Sequence, residues 1–429
     1  MATVGWMRSH KLRIGVVAVA TLAVATAGTM GYLYLHLNRN IKTYSVAGLA
    51  TSRPPVATPA ATASGEPAAQ APLNLLLIGS DSRSNGNTAL GGGAGVDGAR
   101  SDTTILLHIS GDRKHATGVS IPRDALVDIP SCEANGTWLP AQTHVMFNSA
   151  FAEGDLADGN PICTQNTVEA MTGIRIDHTI VVDFAGFAAM SSAVGGVQVC
   201  VPTVNSTYLE QAYGITLASG MQTLSGKAAL EYVRAREGFG DNSDIGRMKR
   251  QQAFLSALVK KILTAGTLED PITMYRLADA ATSALTVDSS LDSATALISL
   301  ALELKRVPLA NLEFVTTPWQ YDGARIDLVQ PDTDILWTLL REDRTLEGQD
   351  VSGTATAPAS ASASASPSSS ASPSATDPGS AASNRLTTSK AKSSGSAGSS
   401  STPITIPSGI TDNIRKADAD PCSDLTFGN

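Results

Sequence analysis

Apolar positions fall along this chain in three patterns, and each predicts a different kind of element. The first is the unbroken run from Ile14 to Leu37, preceded by Arg8, Lys11 and Arg13. Its length suits a single bilayer-spanning helix, and the basic flank places the N-terminus on the cytoplasmic side. Ala25-Thr26-Ala27 resembles a processing site, so a cleaved signal peptide is the alternative. The apolar run continues well past that point, which favours an uncleaved anchor with the bulk of the chain outside the cell membrane.

The second pattern is short apolar runs bounded by Gly, Asp or Pro: "LNLLLIGSDSR", "DTTILLHIS", "ATGVSIPRD", "HTIVVDF", "VQVCVP" and "LEFVTTP". These read as buried strands. The third has helical spacing. Ile245, Met248, Leu255, Leu258, Val259 and Ile262 mark one face of a long helix that starts near Asp244, with Gly266 as a plausible stop. "FAGFAAMSSAV", "DPITMYRLADAATSAL" and "SATALISLALELK" predict further helices. Strands alternating with helices indicate an α/β layered domain.

Two stretches carry no periodicity. "TSRPPVATPAATASGEPAAQAP" reads as a spacer, and the Ser/Ala/Pro tract from Gly353 cannot bury enough apolar surface to offset chain entropy. The expected organisation is therefore a cytoplasmic N-terminus (1–13), a transmembrane helix (14–37), a linker (38–71), one folded domain (72–347), a disordered tract (348–411) and a Cys-containing tail (412–429).

Composition narrows the function. The 429 residues carry a formal net charge of -8 and only 16% are charged. An acidic chain without a basic helix-turn-helix is not a nucleic-acid binder. No GxxxxGK[ST] loop and no GxSxG elbow occurs. The cysteines Cys132, Cys163, Cys200 and Cys422 form no CxxC pair and suit disulfides in an oxidising compartment. Cys132 and Cys163 bracket a loop-rich stretch that a bridge would tether, which leaves Cys200 and Cys422. Spacing alone does not fix the connectivity.

Against this acidic background, basic residues concentrate in "YVRAREGFGDNSDIGRMKRQQ". Asp81 with Arg83, Arg100 with Asp102, and Arg123 with Asp124 lie at the ends of the first strands. If those strands form an up-down-up meander, all these groups share one sheet edge. Isolated surface pairs of this kind contribute little to stability, but their convergence describes a phosphate or diphosphate site, with paired carboxylates for a hard divalent ion. Arg234 and Arg236 are expected to alternate along an extended segment and point the same way. Arg247 and Gln251 are one helical turn apart, and Asp244 lies a turn before Arg247. Lys249 and Arg250 are assigned to a solvated face. Phe184, Phe187, Met190 and Val194 read as core, with an apolar lipid pocket as the alternative.

The motifs "LLLIGSDSR", "RSDTTILLHI", "VSIPRD", "FNSAFAEG", "IDHTIVVDFAGF", "AVGGVQVCVP", "LSGKAALEYVRAR" and "DNSDIGRMKRQQAFL" follow one another between Leu73 and Lys261. In that order they resemble the LytR-CpsA-Psr family of bacterial cell-envelope proteins, particularly its actinobacterial members. The resemblance implies an α-β-α sandwich around a central mixed sheet on a membrane anchor. It implies a hydrophobic pocket for a polyprenyl chain and an arginine-lined mouth for its diphosphate. The implied activity is transfer of a glycopolymer from a polyprenyl-diphosphate carrier to peptidoglycan, commonly at a muramic acid hydroxyl. Matched position by position, Asp81 and Asp102 correspond to the acids that hold Mg²⁺ (or Mn²⁺). Arg83, Arg100, Arg123, Arg234, Arg236, Arg247 and Gln251 correspond to the diphosphate contacts. Asp244 corresponds to a family acid near the reaction centre; as general base it competes with Asp124, and Arg236 completes the catalytic set. A polyprenyl-diphosphate hydrolase is the enzymatic alternative, and a non-catalytic envelope regulator or glycan binder, echoing the family's older label as a transcriptional attenuator, is the other. One departure from the family pattern stands out: Met221 occupies the neighbourhood where relatives place the partner of the "VCVP" cysteine, which makes Cys422 the substitute partner for Cys200.

Overall fold

The computed structural model describes residues 3–59, 70–81, 99–154, 156, 159–264, 270–352 and 404–423. Most of the spacer (60–69), Arg83 (within 82–98), Gly266 and the Ser/Ala/Pro tract from Gly353 to 403 lie outside them.

Helix α1 (Thr3–Asn40) leads into β1 (Lys42–Tyr44), the first strand of an eight-stranded mixed sheet. The others are β2 (Leu73–Ser80), β3 (Ser101–Ile109), β4 (Ala116–Ile121), β5 (His178–Asp183), β6 (Leu285–Asp288), β7 (Leu312–Thr316) and β8 (Arg415–Lys416). Their spatial order is β1-β6-β5-β2-β3-β4-β7-β8. Strands β2, β3 and β4 form an antiparallel meander, while β5 joins β2 and β7 joins β4 in parallel.

Side chains alternate across the sheet as the strand pleat requires. Leu76, Ile78, Leu106, Val119 and Val315 face one layer, where Val168 of α2 (Pro161–Thr172) and the later Trp337 and Leu340 complete the core. Leu75, Leu107, Ile180 and Phe314 face the opposite layer. Between β5 and β6 come α3 (Phe184–Ala193), α4 (Ser206–Tyr213), α5 (Gly226–Arg234), α6 (Asp244–Thr264) and α7 (Pro271–Ala284), and α8 (Ala294–Lys305) follows β6; α6 and α8 pack on that layer. Helix α9 (Asp332–Arg341) carries Trp337 and Leu340 on the first side. A hairpin of Val197–Val201 and Gly220–Leu224 joins α4, α5 and Phe254 of α6 in a separate small core. At Gly186 a side chain would meet Ala284 Cβ at 2.1 Å, so α3 needs glycine there to lie against α7.

Three boundaries differ from the sequence reading. The expected linker begins to fold at Lys42: β1 pairs with β6, Ala50 N–H donates to Asn166 Oδ1 at 3.0 Å, and Arg53 binds Glu169. The expected disordered tract is folded at both ends. Val351 accepts from Asp112 N at 3.3 Å, and a helical turn at Ser408–Thr411 buries Ile410 before β8 pairs with β7. Composition averages over such segments and does not register single anchors like Arg53 or Ile410. Finally, α5 runs through Arg234, so Arg234 and Arg236 do not share one extended segment; the chain becomes extended only at Ala235.

Disulfides join Cys132 to Cys163 and Cys200 to Cys422. Cys200 lies opposite Met221 in the hairpin, and Cys422 Sγ is 3.5 Å from Met221 Sδ. Among the described residues no helix is long and apolar enough to cross a membrane. The end of α1 docks on the domain through Asn40, which donates to Asp279 at 2.9 Å, and Asn38, which accepts from Ala294 N at 2.7 Å.

Candidate functional site

The meander brings the end of β2, the start of β3 and the end of β4 to one sheet edge. Asp81 follows β2 and is tied across to β3: its amide donates to Arg100 O at 3.1 Å, and its carboxylate accepts from Arg100 N at 2.6 Å. Arg100 thus supplies backbone, while its side chain is exposed. Asp102 lies one position into β3, and Arg123 reaches it from beyond β4 to form a hydrogen-bonded ion pair.

Helix α6 closes the cluster from above. Asp244, in its first turn, accepts from Arg247 at 2.7 Å and lies 3.5 Å from Arg123 Nε and 3.9 Å from Arg236 Nε. Arg247 is also 3.9 Å from Asp102, and its side chain is only 1% exposed. Asp124 sits 3.5 Å from Arg123 and 3.9 Å from Arg325, a residue that sequence reasoning passed over because it arrives from a hairpin two hundred residues away. Arg83 is outside the described residues.

The electrostatics are unbalanced in a specific way. Burial would pull the Arg123 guanidinium down, but Asp102, Asp244 and Asp124 outweigh it and its pKa is raised. Burial, then the charge of Asp102, pushes the Asp81 carboxyl above its ordinary value. That is the electrostatic condition a hard dication relieves, so this oxygen pair fits Mg²⁺ or Mn²⁺. Asp244 Oδ2, Arg123 Nε and Arg247 Nε are buried with no hydrogen-bond partner among the described residues. Orphaned polar atoms of this kind are costly and mark a site built for something else.

Beneath the cluster lies a cavity of about 190 Å³ between the sheet and α6. Leu77, Ile105, Phe184, Phe187, Met190 and Phe254 give it apolar walls, while Asp102, Arg234, Arg247 and Gln251 line its polar end. Val194 instead belongs to the small core under the hairpin. Arg234 stacks over Phe184 at 4.9 Å and lies 3.5 Å from Glu231. Gln251 donates its amide to Val233 O at 3.0 Å, which fixes it against α5.

Arg250 corrects the expectation of a solvated face. It is 0% exposed, donates to the carbonyls of Tyr232 and Ala235, and stacks on Phe239 at 4.6 Å. Burial lowers its pKa to about 10. Both carbonyls lie at the C-terminal end of α5, where helices leave acceptors unsatisfied. Arg250 therefore holds the turn that carries Arg234 and Arg236. Lys249, its neighbour, is half-buried.

Acids and arginines thus gather at one edge of a mixed α/β sandwich, over an apolar cavity. The chain matches the model of the LytR_cpsA_psr family over residues 37–341, and it belongs to that family. It is 33% identical over 270 residues to the cell wall biosynthesis protein LcpA of Corynebacterium glutamicum, covering 58% of this chain and 51% of that protein. It is 33% identical over 193 residues to the polyisoprenyl-teichoic acid–peptidoglycan teichoic acid transferase TagT of Bacillus subtilis, covering 44% of this chain and 52% of that protein. Among solved structures, a LytR-Csp2A-Psr enzyme from Actinomyces oris aligns with TM-score 0.48 and 21% identity, over 70% of this chain and 95% of that one. The chain spans about half the length of the curated relatives it matches.

Proposed function

We propose that this protein transfers a glycopolymer from a polyprenyl-diphosphate carrier to peptidoglycan, as a single-pass membrane protein with its catalytic domain outside the cell. The observation that carries the reading is the junction of a guanidinium cluster with an apolar cavity. Arg123, Arg236 and Arg247 suit a diphosphate, and the cavity behind Arg234 suits the first units of a hydrocarbon chain. The names of the relatives, which include wall-polymer transferases acting on peptidoglycan, support the same reading. The apolar run Ile14–Leu37 supports the anchor.

The chemistry is spare. An acceptor hydroxyl oxygen attacks the polymer-side phosphorus and forms a P–O bond. The P–O bond to the bridging oxygen breaks, and polyprenyl phosphate leaves. The hydroxyl proton passes to Asp244, whose Oδ2 is buried and unclaimed while Oδ1 is held by Arg247. Asp124 is less suited, because it lies between Arg123 and Arg325 at the rim. Arg123 and Arg247 neutralise charge that shifts to the leaving group, and they are positioned before the reaction begins. Asp81 and Asp102 would hold Mg²⁺ or Mn²⁺, which when bound would neutralise diphosphate oxygens.

The test uses the full-length chain in detergent, since β1 and Arg53 belong to the fold. Incubation with a lipid-diphosphate glycan, Mg²⁺ and peptidoglycan oligomers should yield polymer-linked oligomers. Release of polyprenyl phosphate without linkage would make the protein a hydrolase, and no turnover would leave a binding or regulatory protein.

A further inference from the structure

A second concavity, a groove of about 590 Å³, lies beside the site. Its floor is two paired segments: Val204 bridges Phe239, Asn205 N–H donates to Gly238 O at 3.0 Å, and Gly240 N–H donates to Thr203 O at 2.8 Å. Its wall, residues 237–242, starts immediately after Arg236 and ends two residues before Asp244, and those flanking residues are 3.9 Å apart. The groove is therefore fastened at both ends of its wall to the reaction centre.

Its chemistry is unlike that of the diphosphate site. The charged residue in the lining is Glu237, and no lysine or arginine among the described residues lines it. A phosphate-bearing occupant would be repelled there. Half-buried Tyr208 offers a ring supported edge-on by Tyr213, with centroids 6.1 Å apart, and its hydroxyl donates to Glu237. Asn205 and Asn242 spend their carbonyl oxygens on Tyr208 N at 3.1 Å and Gly238 N at 2.8 Å. Their side-chain NH₂ groups, which have no partner among the described residues, remain available as donors. An aromatic platform, two amide donors and a carboxylate acceptor match a sugar that carries hydroxyls and an acetamido group.

We propose that this groove is the acceptor subsite, holding an uncharged N-acetylated sugar unit of the receiving glycan with its hydroxyl directed to Asp244. The proposal rests on the transfer reading, so its test separates the two. Full-length protein in detergent is titrated calorimetrically with a short uncross-linked peptidoglycan oligosaccharide and, separately, with inorganic pyrophosphate. Tyr208→Ala and Glu237→Gln are compared with wild type, and acceptor KM is measured alongside. Both variants should weaken oligosaccharide binding and raise acceptor KM about tenfold or more, with pyrophosphate binding and donor KM unchanged. Oligosaccharide constants within about twofold of wild type in both variants overturn the subsite. So does a wild type that binds no oligosaccharide. If wild type transfers no polymer, yet Tyr208→Ala abolishes sugar binding, the groove stands as a glycan site and the transfer reading falls.

Discussion

Strand β3 carries an acid with a basic partner at each end, and the two are built on opposite principles. At its finish, His108 is held by Asn74 at 2.7 Å and by Asp343 at 3.0 Å, and the second Asp343 oxygen accepts from Gly111 N at 2.9 Å. Both ring nitrogens and both carboxylate oxygens have partners there. At its start, Asp102 shares Arg123 and Arg247 with Asp244, and three polar atoms of that group have no hydrogen-bond partner among the described residues. The same fold can therefore satisfy a buried charge completely when stability is all that is asked. Where it does not, the proposed function assigns the deficit to a ligand's phosphates and a transferred proton.

The sharpest way to break the comparison is to neutralise Asp244. Asp244→Asn should lower transfer by about 10²–10⁴-fold, the usual worth of a positioned general base, with thermal stability close to wild type. A matching fall in melting temperature would make the start of β3 a structural pair like its finish, and unchanged turnover would move the base elsewhere. The assay is single-turnover polymer transfer beside a thermal melt of the same preparation.

The meander edge was legible in the sequence because Asp81, Asp102 and Arg123 sit at the ends of short apolar runs, Arg123 directly after Pro122, and short connections leave few topologies. The helical pairing of Arg247 with Asp244 followed from periodicity. What escaped the sequence depends on contacts between distant segments. Arg250 looked like a surface cation because its partners are backbone carbonyls of α5, which have no side-chain signature. Arg325 reaches Asp124 across a separation no local pattern encodes. The groove at Tyr208 belongs to the same class, since its two walls lie about thirty residues apart in the chain. The Cys200–Cys422 bridge, by contrast, was expected from the resemblance, because Met221 stands where relatives place the partner cysteine.

Two stability predictions of intermediate size test how the functional end is held. Replacing Cys200 and Cys422 together by serine should cost about 2–4 kcal/mol in denaturant unfolding, the usual range for a disulfide. The tail should become accessible to protease before the sheet does, because β8 meets the sheet only through β7. Simultaneous loss of all structure would mean that the tail is integral to the core. Arg250→Met removes the donor to Tyr232 and Ala235 and should cost about 1–3 kcal/mol for the orphaned carbonyls. Its diagnostic is kinetic: donor KM should rise more than kcat falls, since Arg234 and Arg236 lose their placement while Asp244 keeps Arg247. A stability loss with unchanged donor KM would reduce Arg250 to packing.

The remaining effect concerns the satisfied end and depends on pH. Burial would raise the Asp343 carboxyl, but the hydrogen bond and charge of His108, with the Gly111 N–H, outweigh it, so its pKa is held below the ordinary 3.8. A carboxylate with a depressed folded value binds its proton less readily folded than unfolded. Its stabilising contribution is complete above the unfolded pKa and disappears as pH falls through the folded one. Asp343 also has φ +52°, a backbone conformation that asparagine tolerates, so Asp343→Asn changes charge with little backbone strain. The variant should be less stable than wild type by about 1–3 kcal/mol near neutral pH, and the difference should shrink in acid. Chemical denaturation across that range reads it directly. A difference that stays constant with pH would mean that the hydrogen bonds, rather than the ionised carboxylate, hold this end of β3, and the contrast between its two ends would rest on geometry alone.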